Sequence, residues 1–350
     1  MIHRNLILFS FITAIIAISF NSASATNNQS PTSSIFDEVS YTETIDLTLE
    51  VDMAALTGDM RSTAKHQAKL SFVDKNGQQQ VWDTEVNLRG KFRRMNCSEV
   101  PPLKINFDKD DLRAAGLLDF NDMKLVTHCV EDEKIARKLI LKEFLAYKLY
   151  NQITDESFRV QLLNITYSDT RTGNTKTQSA FLIEDTAQLR ARLNAKKCKG
   201  KIGVPVEEFN RDQVNTVAMF QYMIGNLDWN LKVSQNVKMI RKNKKVLAIP
   251  YDFDFSGLVN APYALLNSNV GQTKAQERIY LGLTENQESM QAEIDLFKKE
   301  KDALIDYIKG FKVLTSDSRR EVLSYIKSFY NSIDEIQFQK QDQVSSPAIK

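Results

Sequence analysis

Histidine and cysteine, the residues that most often ligate metals or act as nucleophiles, are scarce: the chain of 350 residues contains 3 of each. The patterns GxxxxGKS/T, GxGxxG and HExxH are absent, which argues against a Walker phosphate loop, a dinucleotide-binding turn and a zincin protease. Neither His66 nor His128 has a credible nucleophilic serine beside it, so a hydrolase triad has little support. Because 46 basic residues accompany 44 acidic ones, the formal charge of +2 provides no strongly basic surface for nucleic acid.

The beginning of the chain has the pattern of a secretory signal peptide. Arg4 precedes an apolar run of 15 residues from Leu6 to Phe20, and small residues at 23–25 provide a cleavage site. Since a helix that spans a bilayer needs about 20 apolar residues, we expect residues 1–25 to be removed; a retained anchor is the alternative. The mature protein would then be exported, to the periplasm, the cell surface or the medium, without a transmembrane span.

Export also bears on the cysteines, because disulfides persist in oxidising compartments. Cys97, Cys129 and Cys198 allow three pairings, of which Cys97 with Cys129 is the simplest. A metal site that includes His128 is the alternative, although the spacing matches no zinc pattern.

The rest of the chain divides into a strand-rich half and a helical half. Alternating apolar and polar residues predict strands at 47–53, 83–89 and 101–107, and further strands are expected at 158–167 and 179–183. Amphipathic patterns predict helices at about 134–151, 208–225, 286–311 and 316–333, with a β-hairpin of residues 236–240 and 246–250 among them.

These elements predict an α+β protein with two lobes. We expect a flexible linker at 26–40, a β-rich N-lobe with a twisted antiparallel sheet and one helix at 41–183, a mainly helical C-lobe at 184–338 and a loose tail at 339–350.

The strongest local signal for function lies in residues 225–257. A polar loop with Asp228 follows a helix, and the acidic sequence YDFD emerges from the second strand of the hairpin. Since a hairpin brings the outer ends of its strands together, Asn236 should lie near Asp252 and Asp254. Oxygen donors of this kind suit Mg²⁺ or Mn²⁺, and Asp228 could face a substrate hydroxyl as its base. The alternative is that these residues cap a turn and a solvated strand end.

The order of these residues matches the catalytic half of a protein kinase. NLDWN followed by IPYDFD resembles the spore-coat CotH kinase family and, more distantly, HipA-like kinases. The resemblance implies a protein-kinase-like fold with Mg-ATP between the lobes, Asp228 as the catalytic residue, Asn236 and Asp252 as metal ligands and Asp254 in support. The usual kinase spacing is shorter than the eight residues from Asp228 to Asn236, and no His-Arg pair precedes Asp228. Asn230 therefore remains an alternative ligand.

A kinase also needs a cation on the nucleotide phosphates and a carboxylate that orients it. At about 100° per residue, Glu143 falls in the apolar stripe of its helix, where a carboxylate needs a cationic partner. Lys104, on the polar face of its strand, is the first candidate, and Arg137 and Arg89 are its rivals. A buried structural ion pair is the alternative interpretation.

Three other segments are candidates for nucleotide binding. Arg89-Gly90 resembles the Arg-Gly segment that precedes the lysine strand in CotH-like proteins, and Gly90 would allow the backbone to approach phosphate closely. Glu184 ends a strand at a point where the backbone could hydrogen-bond adenine, and Lys232 follows Asp228 in its loop. The basic residues after Gly90 would supply further charge: Lys91, Arg93 and Arg94. A basic surface turn and an ordinary strand end are the alternatives.

Together these features predict an exported CotH-like atypical kinase that transfers the γ-phosphoryl group of Mg-ATP to a Ser or Thr hydroxyl of an unidentified protein. ATP is scarce outside the cytoplasmic membrane, which favours an alternative, a kinase-like binding or scaffold protein without turnover. A third hypothesis keeps the nucleotide and the metal but transfers another group, such as AMP.

Overall fold

The structure is a computed structural model that describes residues 31–96, 100–200, 202–283 and 286–336. The predicted signal peptide, Cys97 of the predicted disulfide and the predicted tail lie outside the described residues. Cys198 is a buried free thiol. None of the helices in these ranges combines the length and the hydropathy required to cross a membrane.

The strands and helices follow from the apolar patterning of the sequence. The strands in the described ranges are β1 (Thr44–Val51), β2 (His66–Val73), β3 (Gln79–Leu88), β4 (Leu103–Phe107), β5 (Asp122–Val126), β6 (Val160–Asp169), β7 (Thr175–Ile183), β8 (Lys196–Lys197), β9 (Val237–Lys242) and β10 (Lys245–Pro250). The helices are α1 (Ile35–Glu38), α2 (Met53–Thr57), α3 (Lys91–Asn96), α4 (Lys109–Ala114), α5 (Glu133–Ile153), α6 (Thr186–Arg192), α7 (Arg211–Ile224), α8 (Gln287–Gly310) and α9 (Ser316–Ser332).

Strands β1 to β7 form a closed barrel in the order β1-β2-β3-β4-β5-β7-β6. Neighbouring strands are antiparallel except β1 and β6, which run parallel from Thr44 beside Leu162 to Val51 beside Asp169. Closure leaves no exposed edge that could pair with another chain. The interior is filled by fully buried side chains, among them Leu49, Leu70, Val86, Ile105 and Ile165.

The predicted two-lobed, protein-kinase-like fold with an open antiparallel sheet is therefore wrong. The alternating patterns located β1, β3, β4, β6 and β7 to within a few residues, whereas β2 and β5 were not predicted. The parallel pairing of β1 with β6 joins the two outer strands of what would otherwise be an open sheet. This pairing is a long-range contact, and local periodicity carries no signal for it.

A second apolar core lies outside the barrel. Helix α5 packs on β6, β7 and α8, and helices α7, α8 and α9 pack on one another. Helix α7 also packs on β10 of the β9–β10 hairpin, to which β8 adds a third strand. The four predicted amphipathic helices and the predicted hairpin are confirmed by α5, α7, α8, α9, β9 and β10. The loop between α7 and β9, which carries Asp228, is thus held between two packed elements.

Part of the predicted linker is packed against the barrel. Ser34 and Asp37 form a reciprocal capping box at the start of α1. Ile35 and Phe36 are buried in the barrel core, and Asp37 pairs with Arg159 at 2.9 Å. From residue 34 onward, this segment is therefore fixed to the barrel.

Candidate functional site

Asp228 is held in a single orientation by hydrogen bonds within its loop. Helix α7 ends at Gly225, whose left-handed backbone (φ 63°) turns the chain away from the helix. Asn226 Oδ1 then accepts the backbone N–H of Asp228 at 3.1 Å. The side-chain amides of Gln235 and Asn236 both donate to the Asp228 carboxylate, with 2.8 Å for Asn236.

The hairpin brings Asn236 to the start of the YDFD segment, as predicted. The N–H of Tyr251 donates to the carbonyl of Asn236 at 3.0 Å, so Asn236 lies beside the residue that precedes Asp252. The alternative ligand, Asn230, accepts the backbone N–H of Lys232 at 2.8 Å through its side-chain oxygen and caps the loop. Asn236 is therefore the better placed of the two asparagines.

Asp252 has an unusual backbone for a residue other than glycine. Its φ is 65°, in the left-handed region that such residues rarely adopt. The hydroxyl of Tyr147, on α5, accepts its N–H at 2.8 Å, while its side chain is 42% exposed. Strained residues of this kind persist where the surrounding structure fixes them, and they are concentrated at functional sites.

Three carboxylates form an acidic centre: Glu143, Asp252 and Asp254. One oxygen from each lies within 4.8 Å of the others. Glu143, from α5, and Asp254 are buried. The guanidinium of Arg93, from α3, lies 2.8 Å from Glu143, 3.0 Å from Asp254 and 3.7 Å from Asp252. Arg93 also donates to the carbonyl of Thr127 at 2.9 Å, so its position is fixed by the barrel.

The predicted ion pair between Lys104 and Glu143 is wrong. Glu143 lies on the buried face of α5 and has a cationic partner, as expected, but that partner is Arg93. Lys104 instead pairs with Asp122 at 2.7 Å, because Asp122 is its diagonal neighbour on the adjacent strand β5. Arg137, one of the rivals, donates to the Ser179 hydroxyl.

Burial and mutual repulsion weaken the acids at this site. Burial, and then the charges of Asp252 and Asp254, raise the pKa of Asp228 to about 7. Burial also raises the pKa of Glu143 and of Asp254, and Arg93 opposes both shifts. Within the described part of the chain, Glu143 Oε1 is buried without a hydrogen-bond partner.

The acidic centre fits a divalent cation. When all three carboxylates are ionised, they and the guanidinium of Arg93 carry a net charge of −2, since −3 and +1 sum to −2. Opposite oxygens are about 4.2 Å apart around Mg²⁺ and about 4.8 Å apart around Ca²⁺, for metal–oxygen distances of roughly 2.1 and 2.4 Å. The three carboxylate oxygens lie within 4.8 Å of one another, so no two of them are farther apart than two opposite ligands of Ca²⁺. Among the described residues, Glu143 Oε1 has no hydrogen-bond partner and therefore has a lone pair for the cation.

A cavity of about 500 Å³ lies between the barrel strands β4 and β5, the start of α6 and the strands β8 and β9. Its wall includes six cationic side chains, Lys104, Lys109, Lys124, Arg190, Lys197 and Lys238. Only three acidic ones, Asp119, Asp122 and Asp185, oppose them. The excess of three positive charges predicts an anionic ligand.

Phe158 connects this cavity with the YDFD segment: the Lys124 ammonium lies 4.6 Å from the Phe158 ring centroid, and that centroid lies 6.2 Å from the centroid of the Tyr251 ring. Burial, and then the charges of Arg89 and Lys238, lower the pKa of Lys124 to about 7. Arg89 acts on the other side as well: burial and Asp252 raise the pKa of Tyr251, and Arg89 opposes that shift. Arg89 therefore acts on both Lys124 and Tyr251, and the aromatic contact places the Lys124 end of the cavity close to the residue that precedes Asp252.

Lys124 is the residue that the sequence interpretation missed. It lies between the buried Met123 and Leu125 on β5. The alternation of polar and apolar residues at 122–125 was the sequence signal that could have located this strand and its lysine. Its ammonium donates to the Thr186 hydroxyl at 3.2 Å and lies 4.6 Å from the Phe158 ring centroid.

The remaining predicted residues are placed as follows. Glu184 does not reach the cavity: its carboxylate is buried against Arg159 and Arg192, and its N–H donates to the Arg159 carbonyl. Its neighbours, Asp185 and Thr186, line the cavity instead. Gly90 has φ 75° and immediately precedes α3, so it aims the helix that carries Arg93. Lys232 lies on the exposed side of the Asp228 loop.

No protein-family model matches the sequence, and no curated protein is significantly similar to it. The resemblance to CotH-like kinases therefore stays a prediction based on the NLDWN and IPYDFD segments.

Proposed function

We propose that this chain is an exported phosphotransferase, related to the CotH-like kinases, that transfers the γ-phosphoryl group of metal-bound ATP to a Ser or Thr hydroxyl of a protein. The observation that carries the proposal is the position of Asp228: Asn236 donates to its carboxylate at 2.8 Å and accepts the N–H of Tyr251, the residue before Asp252. The Tyr251 ring in turn contacts Phe158 at the Lys124 end of the cavity with excess positive charge. A base, a cation site and an anion site are the three parts that phosphoryl transfer requires.

Asp228 would orient the acceptor hydroxyl and take its proton. A base is most effective when its pKa lies near the working pH, and the pKa of about 7 meets this condition. The amides of Gln235 and Asn236 hold the carboxylate in place. As the hydroxyl oxygen bonds to the γ-phosphorus, the bond to the bridging oxygen breaks, ADP leaves and the proton moves to Asp228.

Asp252, Asp254 and Glu143 would hold the divalent cation, and Asn236, whose Nδ2 donates to Asp228, would add its Oδ1 as a further ligand. Such a cation, when bound, neutralises the charge that develops on the phosphoryl oxygens. The side chains around the cavity would hold the nucleotide phosphates, so that the γ-phosphorus points toward Asp228.

The test is the Asp228→Asn variant, assayed with ATP labelled at the γ-phosphate and casein as acceptor. We expect Mg²⁺- or Mn²⁺-dependent labelling by the wild type and a loss of about 100- to 10,000-fold in the variant. Asp83→Asn, on the exposed side of β3, is the control and should keep its activity. Both variants should still be stabilised by Mg-ATP in thermal unfolding. A wild-type melting temperature that saturating Mg-ATP does not change would contradict the proposal.

A second function, nucleotide binding or scaffolding without turnover, is favoured by Arg93. Its guanidinium contacts all three carboxylates, so the acidic centre is partly compensated without a metal. This function predicts that Mg-ATP stabilises the protein while no label is transferred to any acceptor. Label that appears from the α-phosphate and not from the γ-phosphate would instead identify AMP transfer.

A further inference from the structure

The cations that line the cavity are not equivalent, because two of them already have an anionic partner within ion-pair distance. Lys104 pairs with Asp122 at 2.7 Å and Lys109 lies 3.9 Å from Asp119. In the described part of the chain, Lys124 forms no salt bridge: its hydrogen bond goes to the neutral hydroxyl of Thr186. Its charge is therefore the least compensated of these three.

The surroundings of Lys124 make this lack of a partner more significant. Arg89 and Lys238 repel it, and Asp185 and Asp122 attract it from beyond ion-pair distance. On the adjacent strand its direct neighbour is a second lysine, since Lys104 and Lys124 are paired in the register of β4 and β5. Like charges at such positions are unfavourable. Asp122 compensates Lys104, and an anion in the cavity would do the same for Lys124.

We propose that Lys124, together with Arg89, is the principal contact for the phosphates of the nucleotide, and that Lys104 is a secondary one. This inference rests on the proposed function for the identity of the ligand. The polyphosphate chain would lie along the cavity wall that β5 forms and would extend past Arg89 toward Asp252. Thr186, which now accepts the Lys124 hydrogen bond, would hold the ammonium toward the cavity.

The test compares Lys124→Met with Lys104→Met by calorimetric titration, using Mg-ATP, inorganic triphosphate and adenosine as separate probes. Loss of one charge-assisted contact predicts a roughly 10- to 100-fold weaker affinity for ATP and triphosphate in Lys124→Met. We expect less than about fivefold in Lys104→Met, whose lysine is already neutralised by Asp122. Adenosine, which lacks phosphate, should bind Lys124→Met as it binds the wild type. Lys69→Met, on the exposed surface of β2, is the control for removal of a positive charge.

The outcomes separate the two proposals. If Lys124→Met weakens adenosine as much as ATP, the residue has a structural role and the inference is overturned. Equal losses in the two lysine variants would also overturn it. If the wild type binds triphosphate but not ATP, and Lys124→Met loses the triphosphate, the anion contact stands while the proposed kinase function fails. A melting curve for each variant verifies the fold, and Lys124→Gln replaces Lys124→Met if the latter does not fold.

Discussion

At the scale of single residues, Arg93 determines the character of the site. It is buried, it comes from a short helix, and it lies at the centre of three carboxylates from two other segments. The sequence indicated that Glu143 needs a cation, because a carboxylate in an apolar stripe cannot remain unpaired. It did not identify which cation, since several basic residues lie near Arg93 and the pairing depends on tertiary structure.

We expect Arg93→Met to destabilise the protein when divalent cations are absent. Removal of one partner from a buried ion pair leaves the other charges uncompensated, at a cost of about 3–5 kcal/mol. Mg²⁺ or Ca²⁺ should restore part of this stability, because the variant has a more negative centre. Melting temperatures in EDTA and in Mg²⁺ at pH 8 measure both effects. The double variant Arg93→Met/Glu143→Gln should be more stable in EDTA than Arg93→Met alone; if it is equally unstable, the repulsion among the carboxylates is not the cause.

At the scale of elements, the periodicity of apolar residues predicted the helices and the hairpin better than it predicted the contacts of single residues. The amphipathic helices α5, α7, α8 and α9 were located almost correctly, because each buries one continuous stripe. The hairpin was also predicted, and with it the approach of Asn236 to Asp252. The short strand β5 was missed because five residues give little periodicity, and Lys124 was missed with it.

The contact between α7 and α8 contains a buried acid, Glu293, which should make stability depend on pH. Burial raises its pKa from 4.5 to about 7, and the Thr216 hydroxyl, 3.2 Å away, opposes the shift. The folded state therefore holds this proton more tightly than the unfolded state does. Its contribution is fully present below pH 4.5 and is lost as the pH rises through about 7.

The Glu293→Gln variant should remove this dependence. We expect it to match the wild type at pH 5 and to exceed it at pH 8 by about 2–3 kcal/mol. Urea unfolding at both pH values measures the difference. Asp302→Asn, an exposed position on the same helix, is the matched control and should show no such change. A constant difference between Glu293→Gln and the wild type at both pH values would rule out the titration of Glu293 as the cause.

At the scale of the whole molecule, two apolar cores share the wall formed by β6 and β7. Leu163 and Ile165 of β6 face the barrel interior, whereas Val160 and Leu162 face the outer core with α5. The composition predicted enough apolar residues for such cores, but it could not show that the first sheet closes into a barrel.

Because the cores share this wall, they should unfold together. The chain has two tryptophans, Trp82 against the barrel core and Trp229 in the outer core. The variants Trp82→Phe and Trp229→Phe each leave one fluorescent reporter. We expect their urea transitions to have the same midpoint once each is corrected for its own change in stability by circular dichroism. Two separate midpoints for fluorescence and circular dichroism within either variant would show that one core unfolds before the other.

The parallel pairing of β1 with β6 also determines when the barrel can form. Thr44 must meet Leu162, 118 residues later in the chain, after β2 to β5 and the whole of α5 have been made. Contacts between such distant residues slow folding, because the loop between them must close before the contact contributes any stability. Whether the chain emerges from a ribosome or from a translocation channel, the edge of β1 that pairs with β6 stays unpaired until residue 169 has emerged.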